Sequence, residues 1–501
     1  MNVLTAPLDV ARFASGASLQ VAESVFSAIT GSAEPETGLP SKGQSVYEIA
    51  EPMLDLSSLI YAYVELRKEA KKRLFELAKT MNLCDHIDKL FSATDLTVLR
   101  NAIQASVDAL KKFEKTGDSA DGETYHKFVK GLVSLNKKFN ISNADAELFK
   151  EYFHILSLPK TADDMRTDFI LHRDWLEDFL LVFGGEKFNF QAILDMCDKD
   201  PSAYFVKVDD EHSTSGGPFA KEITHAIAVS DKLKRVYVVF RGSIDANDWI
   251  TNFQANATDF LLPGFTSSFA NDTPRNFGKV HEGMYNYLFK KTHEGISKGE
   301  AIMGLVTSLM KKNKGYTLFI TGHCLGGALS TMMAFRAAAL DDLKDTTVMN
   351  VSFASPFVGN QEFRNHFVAM EKKKKIKHLR VSNYKDVVPL IPYMTITSPP
   401  LMFYKHVGMN LRLYKSGSFL APEYRIFYSK EGSLVNEVRN AAHSNVLTGI
   451  SLFSIQNHLC PEYTGRLDGA SEKLNTVSLD DLYSNKDITG WTYEESPEKT
   501  N

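Results

Sequence analysis

Cysteine is scarce in this chain: Cys84, Cys197, Cys324 and Cys460 are the only four among 501 residues. They stand far apart, without the close pairs of a zinc site or the dense framework of a disulfide-stapled secreted domain, so no metal and no resident cofactor are expected. That usage suits a reducing compartment. Long apolar runs are also missing, and nothing approaches the roughly 18 residues that a membrane-spanning helix needs. The opening stretch, "MNVLTAPLDVARFASGASLQVAESVF", lacks a basic segment followed by a continuous apolar core, and no secretory signal is recognised in it. The expected location is therefore the cytoplasm or the periphery of a membrane. Charge of one sign is not in excess either. A formal net charge of -4 offers no bulk attraction for nucleic acid, which is set aside as a partner. What remains is ordinary globular material, 44% hydrophobic and 24% charged, in a chain long enough for two or three cores.

Texture divides the chain into four parts. Residues 1–44 are rich in Ala, Ser, Gly and Pro, and "GSAEPETGLPSKGQS" reads as a flexible segment. Over 45–199 apolar residues recur at helical spacing, as in "LIYAYVELRKEAKKRLFELAKT" and "MRTDFILHRDWLEDFLLVF", which predicts four to six helices. Strands begin after Pro201 with "AYFVKV", "EITHAIAVS" and "RVYVVFRGS", and later strands such as "GYTLFITG" and "TTVMNVSFASP" alternate with helical stretches. That alternation over 200–468 predicts an α/β domain with a mostly parallel central sheet covered on both faces. Residues 469–501 turn polar and acidic and read as a tail.

Chemistry concentrates in "FITGHCLGGALS". An apolar strand enters a glycine-bounded turn at Gly322 to Gly327 and leaves through a small-residue helix. Such a turn presents Cys324 as a nucleophile at the top of a sheet, with the N–H groups of the following helix facing any negative charge that develops there.

From this motif outward the chain resembles the class 3 lipases, the fungal triacylglycerol lipase type of α/β-hydrolase, over roughly Ala203 to Gly465. The family's nucleophile motif is G-H-S-L-G-G, so Cys324 stands at its serine. "VVFRGS" looks like the family's oxyanion strand, which implies that Ser243 and the backbone N–H of Leu325 hold the tetrahedral oxyanion. Trp249 in "DWITNF" and "VHEGMY" at 280–285 also resemble family segments. "FASPFVGN" resembles F-G-S-P-R-V-G-N, with Phe357 where arginine is usual, and "RVSNYKDVVPLIP" resembles the acid loop and puts Asp386 at the triad carboxylate.

An α/β-hydrolase places its catalytic histidine after the acid. His378 precedes Asp386, which leaves His406, His443 and His458. His406, in "FYKHVGMNLRLY", resembles a structural Y-x-H-x-G motif, and His443 has no motif around it. His458, in "SIQNHLCPEY", resembles the late D-H-x-x-Y segment, with Asn457 at the acidic position and Tyr463 falling later than usual; it is the preferred base. His323 is expected to pack beneath the turn. The resemblance thus implies a Cys324–His458–Asp386 triad acting on lipid acyl esters through an acyl-enzyme. A thiol at this position also admits an acyltransferase or thioesterase, a catalytically silent lipid-binding protein, or a cysteine engineered into a serine enzyme. A redox contact between Cys324 and Cys460 is a further option.

Between Trp249 and Val280 lies an apolar cluster, "FLLPGFTSSF", which either gates a lipid-facing site or packs on the core. The run "EKKKKIKHLR" could touch anionic lipid, and a solvated helix end is the preferred reading. A lipid ester is the expected substrate, with transient contact to a lipid interface as a possible partner interaction; the sequence leaves the oligomeric state open.

Overall fold

The computed structural model describes residues 44–80, 148, 151–152, 154–184, 189–210, 224–243, 256–262, 275–291, 295–395, 402–415, 423–428 and 456–490. The chain forms two compact units, one of residues 1–36 and 66–158, the other of 37–65 and 159–501. In the first, Arg67 Nη1 donates to the Leu156 carbonyl at 2.9 Å. The sheet and the candidate site belong to the second. Among the described residues no helix is long and apolar enough to cross a membrane.

Eleven strands are described: β1 (Lys160–Thr161), β2 (Tyr204–Asp209), β3 (His225–Ser230), β4 (Arg235–Phe240), β5 (Ala257–Leu262), β6 (Arg275–His281), β7 (Thr317–His323), β8 (Val348–Phe353), β9 (Ile376–Asn383), β10 (Met409–Leu413) and β11 (Tyr424–Tyr428). Nine form one sheet in the order β1-β2-β3-β4-β7-β8-β9-β10-β11, and β5 and β6 make a separate hairpin. The run β4-β7-β8-β9-β10 is parallel, and antiparallel strands flank it on both sides. Every residue of β3, β4, β7 and β8 is buried, which is why these strands read as near-continuous apolar runs rather than as alternation.

The named α-helices among the described residues are α1 (Val46–Thr80), α2 (Ala162–Leu171), α3 (Glu177–Gly184), α4 (Phe190–Lys199), α5 (Glu282–Phe289), α6 (Lys298–Lys312), α7 (Leu325–Ala338), α8 (Gln361–Lys372), α9 (Cys460–Gly469), α10 (Ser471–Leu474), α11 (Leu479–Ser484) and α12 (Lys486–Thr489). Local chemistry starts several of them. Ser297 and Glu300 form a reciprocal capping box on α6, and Asn360 caps α8 through Phe363 N; such caps are worth about 0.5–2 kcal/mol each. Helix α7 is buried on all sides, in keeping with its mostly apolar sequence, and Arg336 is buried with it.

The part of α1 up to Glu65 packs within the sheet unit. Ser57 Oγ lies 3.1 Å from Thr321 Oγ1 in the middle of β7. Its first residues meet the last described helices: Ser45 Oγ donates to Asn475 Oδ1 at 3.0 Å, and Val46 N to the Val477 carbonyl at 2.7 Å. Residues 471–489, polar by composition, therefore carry three short helices, with Leu474, Leu479 and Tyr483 turned inward.

Candidate active site

The site is assembled at the carboxyl ends of the parallel strands, where open α/β sheets leave room for ligands. β7 ends at His323 and α7 begins at Leu325, so Cys324 alone makes the turn. It does so at φ 58° and ψ -130°, a backbone region that side-chain-bearing residues avoid. The turn is held from both sides: Cys324 N donates to the Phe353 carbonyl, and Gly327 N donates to the Cys324 carbonyl, each at 2.9 Å. Glycine is required next to it. A Cβ on Gly326 would lie 2.2 Å from the Phe240 carbonyl oxygen, so only glycine lets α7 start this close to β4. Cys324 itself is buried.

Leu325 is the first residue of α7, and its N–H belongs to the first turn, where donors have no acceptor within the helix. Ser243 is buried just past β4. Its neighbour Gly242 abuts the nucleophile turn, since a Cβ there would come within 2.8 Å of Cys324 Cβ and 2.6 Å of the His323 carbonyl. Ser243 thus follows a residue packed against the nucleophile turn, and Leu325 directly continues that turn.

Asp386 follows the end of β9 and is buried. One carboxylate oxygen, Oδ1, accepts from Val388 N at 3.0 Å, and the other, Oδ2, accepts from the Tyr463 hydroxyl at 2.7 Å. Both face His458, whose Nδ1 lies 3.2 Å from Oδ1 and 3.0 Å from Oδ2. His458 sits in the turn that leads into α9, and Tyr463 stands on the first turn of that helix. Asn457, at the position where the resembled family has an acid, pins this turn to the acid loop. Its carbonyl accepts from Asn383 Nδ2 at 2.9 Å, and its side chain bonds to Arg466, which also donates to the Tyr384 carbonyl at 2.9 Å.

The remaining ring nitrogen of His458, Nε2, is buried and has no hydrogen-bond partner among the described residues. Burial opposes a charge on this ring, but the Asp386 carboxylate and the Cys324 sulfur outweigh it, and His458 is more basic than an ordinary imidazole. The sulfur is close enough to exert both a charge effect and a loose hydrogen-bonding contact on His458, although it falls outside ordinary hydrogen-bond geometry with Nε2.

His323 behaves in the opposite way. Burial, and then the charge on His458, hold it well below the usual imidazole range. The two rings lie 4.7 Å apart. Its Nε2 is 2.7 Å from the His458 carbonyl and its Nδ1 is 3.2 Å from the Tyr61 hydroxyl. Tyr61, on α1, had no signal in the sequence beyond its place on an apolar helix face.

The two other candidate histidines that the structure describes, His406 and His378, are engaged elsewhere. His406 Nε2 bonds to the Pro389 carbonyl at 2.6 Å, and its ring stacks on Phe357 at 3.8 Å. His378 lies within β9 beside the Ser352 hydroxyl at 2.9 Å. His443 and Trp249 lie outside the described residues. Cys324 and Cys460 are both free thiols, and burial raises the pKa of Cys460. In the apolar cluster Phe260 and Leu262 are buried in the core while Leu261 is 39% exposed; residues 263–274 lie outside the described set. Lys372, Lys373 and Lys374 are exposed ahead of β9, at the end of the sheet opposite to Cys324.

Comparison with known proteins finds lipase relatives for the central part of the chain. Residues 237–396 match the family model described as "Lipase (class 3)". "Phospholipase A1-II 5" of Oryza sativa subsp. indica is 27% identical over 202 residues, 38% of this chain and 40% of that protein. "Phospholipase A1-IIgamma" of Arabidopsis thaliana is 30% identical over 171 residues, 31% of this chain and 38% of that protein. The "Lipase" of Rhizomucor miehei is 26% identical over 167 residues, 33% and 40% respectively. The chain thus spans about two fifths of the length of these relatives. Among solved structures, a native Rhizomucor miehei lipase propeptide complex matches with a TM-score of 0.36 and 20% identity, over 53% of this chain and 73% of that one. Residues 237–396 thus carry the class 3 lipase match, and the sheet they help to build has the mostly parallel arrangement expected of an α/β-hydrolase.

Proposed function

We propose that the protein hydrolyses carboxylic esters of lipids through an acyl-enzyme on Cys324, with His458 as base and Asp386 as its partner. One observation carries this reading: His458 offers Nδ1 to Asp386 at 3.0 Å while Nε2 is buried without a partner beside the strained Cys324 turn. In the proposed sequence His458 Nε2 takes the thiol proton as sulfur attacks the ester carbonyl, and a C–S bond forms. The Ser243 hydroxyl and the Leu325 N–H hold the oxyanion. Expulsion of the alkoxide, which takes the proton back from His458, leaves a thioester that water then opens with His458 again as base. The lipase and phospholipase A1 names of the relatives support a lipid ester as substrate.

Sulfur itself favours a second reading, transfer of the acyl group to an alcohol, because a thioester can partition between water and other acceptors. Wild type, Cys324→Ser and Cys324→Ala, compared on short and long acyl esters with mass spectrometry of the intact chain, test both. An acyl adduct on wild type that is lost in Cys324→Ala is expected, and product ratios with added alcohol separate hydrolysis from transfer. No adduct and no turnover in wild type, with vigorous Cys324→Ser, would overturn the thiol mechanism. His458→Ala is expected to abolish turnover; full activity there together with loss in His406→Ala would move the base.

A further inference from the structure

The segment of α1 within the sheet unit reaches the site through the phenol of Tyr61. Tyr61 is buried, and its oxygen accepts from Gly242 N at 2.9 Å. The same hydroxyl reaches His323 Nδ1 at 3.2 Å, and His323 Nε2 reaches the His458 carbonyl at 2.7 Å. These three links run from the residue before Ser243 to the main chain of the proposed base.

Proton bookkeeping fixes their direction. The His458 carbonyl only accepts, so His323 Nε2 carries the proton. A neutral ring then has Nδ1 free to accept, and burial keeps His323 neutral. Tyr61 therefore donates to His323 while accepting from Gly242, and one arrangement of hydrogens satisfies the whole chain. Packing leaves no slack around it: a Cβ on Gly242 would lie 2.5 Å from the Tyr61 oxygen and 2.8 Å from Cys324 Cβ. The oxyanion loop thus rests on the Tyr61 hydroxyl and the Cys324 turn together.

Building on the hydrolase reading above, we infer that Tyr61 is a positioning residue, whose hydroxyl sets the distance between the Ser243 side of the site and His458. It acts through Gly242 and His323 and does not touch substrate. Its ring fills space in either case, so the inference concerns the hydroxyl alone. Without it the buried Gly242 N–H and His323 Nδ1 both lose a partner, and each side is free to shift. A loop displaced by about 1 Å can lower turnover about 100-fold.

The test uses the full chain as wild type, Tyr61→Phe and Cys324→Ala. It measures kcat and KM on a short acyl ester, thermal stability, and the pH dependence of iodoacetamide alkylation at Cys324, read by mass spectrometry of its peptide. Tyr61→Phe is expected to lower kcat by about 10–100-fold, with KM within about twofold, and to displace the midpoint of the alkylation profile. A kcat within about twofold of wild type together with an unmoved alkylation profile overturns the inference, whatever the change in thermal stability. Should Tyr61→Phe fail to fold, 2,3,5-trifluorotyrosine at position 61 keeps the ring and hydroxyl while strengthening donation and weakening acceptance. A displaced alkylation profile in that variant sustains the inference and an unmoved one overturns it. If wild type and Cys324→Ala are alike on every ester, the hydrolase reading fails, and the alkylation measurement still decides the role of Tyr61.

Discussion

Strand β9 has a buried carboxylate beyond each of its ends, and the two make a controlled comparison. Past its carboxyl end Asp386 accepts the Tyr463 hydroxyl at 2.7 Å and faces His458. Before its amino end Glu371 accepts the Tyr483 hydroxyl, also at 2.7 Å, and the hydroxyl of Tyr428. Tyrosine and burial are common to both. The difference is the third partner: Asp386 meets a titratable ring beside the proposed nucleophile Cys324, whereas Glu371 meets phenols and the Arg364 charge. Burial then dominates at Glu371 and lifts its carboxyl to about 8, against the lowering effect of the two phenols and Arg364. A buried carboxyl is thus not a site by itself; what it holds in place decides whether it serves chemistry or packing.

The sharpest way to break the comparison is to neutralise each acid. Asp386→Asn is expected to lower kcat about 10⁴-fold, because the histidine loses both its tautomer and its counter-charge. Glu371→Gln is expected to leave kcat within about threefold, and a large loss there would erase the distinction. Next come the phenols. Tyr463→Phe removes a hydrogen bond to a charged group, worth about 1.5–3 kcal/mol, and should reduce kcat about 10- to 100-fold if that full amount is felt in the transition state. Tyr483→Phe should lower the melting temperature and spare kcat in the same assays.

A pH titration comes third. The folded protein holds the Glu371 proton more tightly than the unfolded chain does, so the stability linked to this group is fully present below the ordinary carboxyl value and is lost as pH rises through about 8. The melting temperature of wild type should therefore fall relative to Glu371→Gln between pH 5 and pH 8, and a constant difference would refute the assignment. The smallest effect concerns Lys372, Lys373 and Lys374, exposed at the Glu371 end of the sheet. Replacing all three with glutamine should leave turnover on anionic vesicles unchanged, because a membrane held there would face away from Cys324.

Sequence motifs located the candidate residues where the geometry is local. Cys324 could be read from the glycines on either side of it, since the strand, turn and helix are contiguous in the chain. Asp386 and His458 came from short motifs in a fixed order, and the order survives even with Asn457 in place of an acid. Tyr61 was invisible because its partner His323 lies 262 positions away, and a tyrosine on an apolar helix face looks the same whether or not its hydroxyl is engaged. Composition was a poor guide over 471–489. Leu474, Leu479 and Tyr483 are few among polar residues, yet their spacing turns all three inward. The apolar cluster at 260–262 divides for a related reason: β5 alternates, so Phe260 and Leu262 pack inward while Leu261 faces out.

The contacts of α1 with the rest of its unit also carry a consequence for biosynthesis. Ser57 waits for Thr321, which follows 264 residues later, and Ser45 waits for Asn475, which follows 430 residues later. At ~5–20 residues per second, the second interval takes about 20–90 s on the ribosome. For 264 residues of that interval the face of the helix that holds Tyr61 lacks the β7 strand that will cover it. On the proposed mechanism, activity should therefore emerge only after His458, near the end of the chain, has been translated.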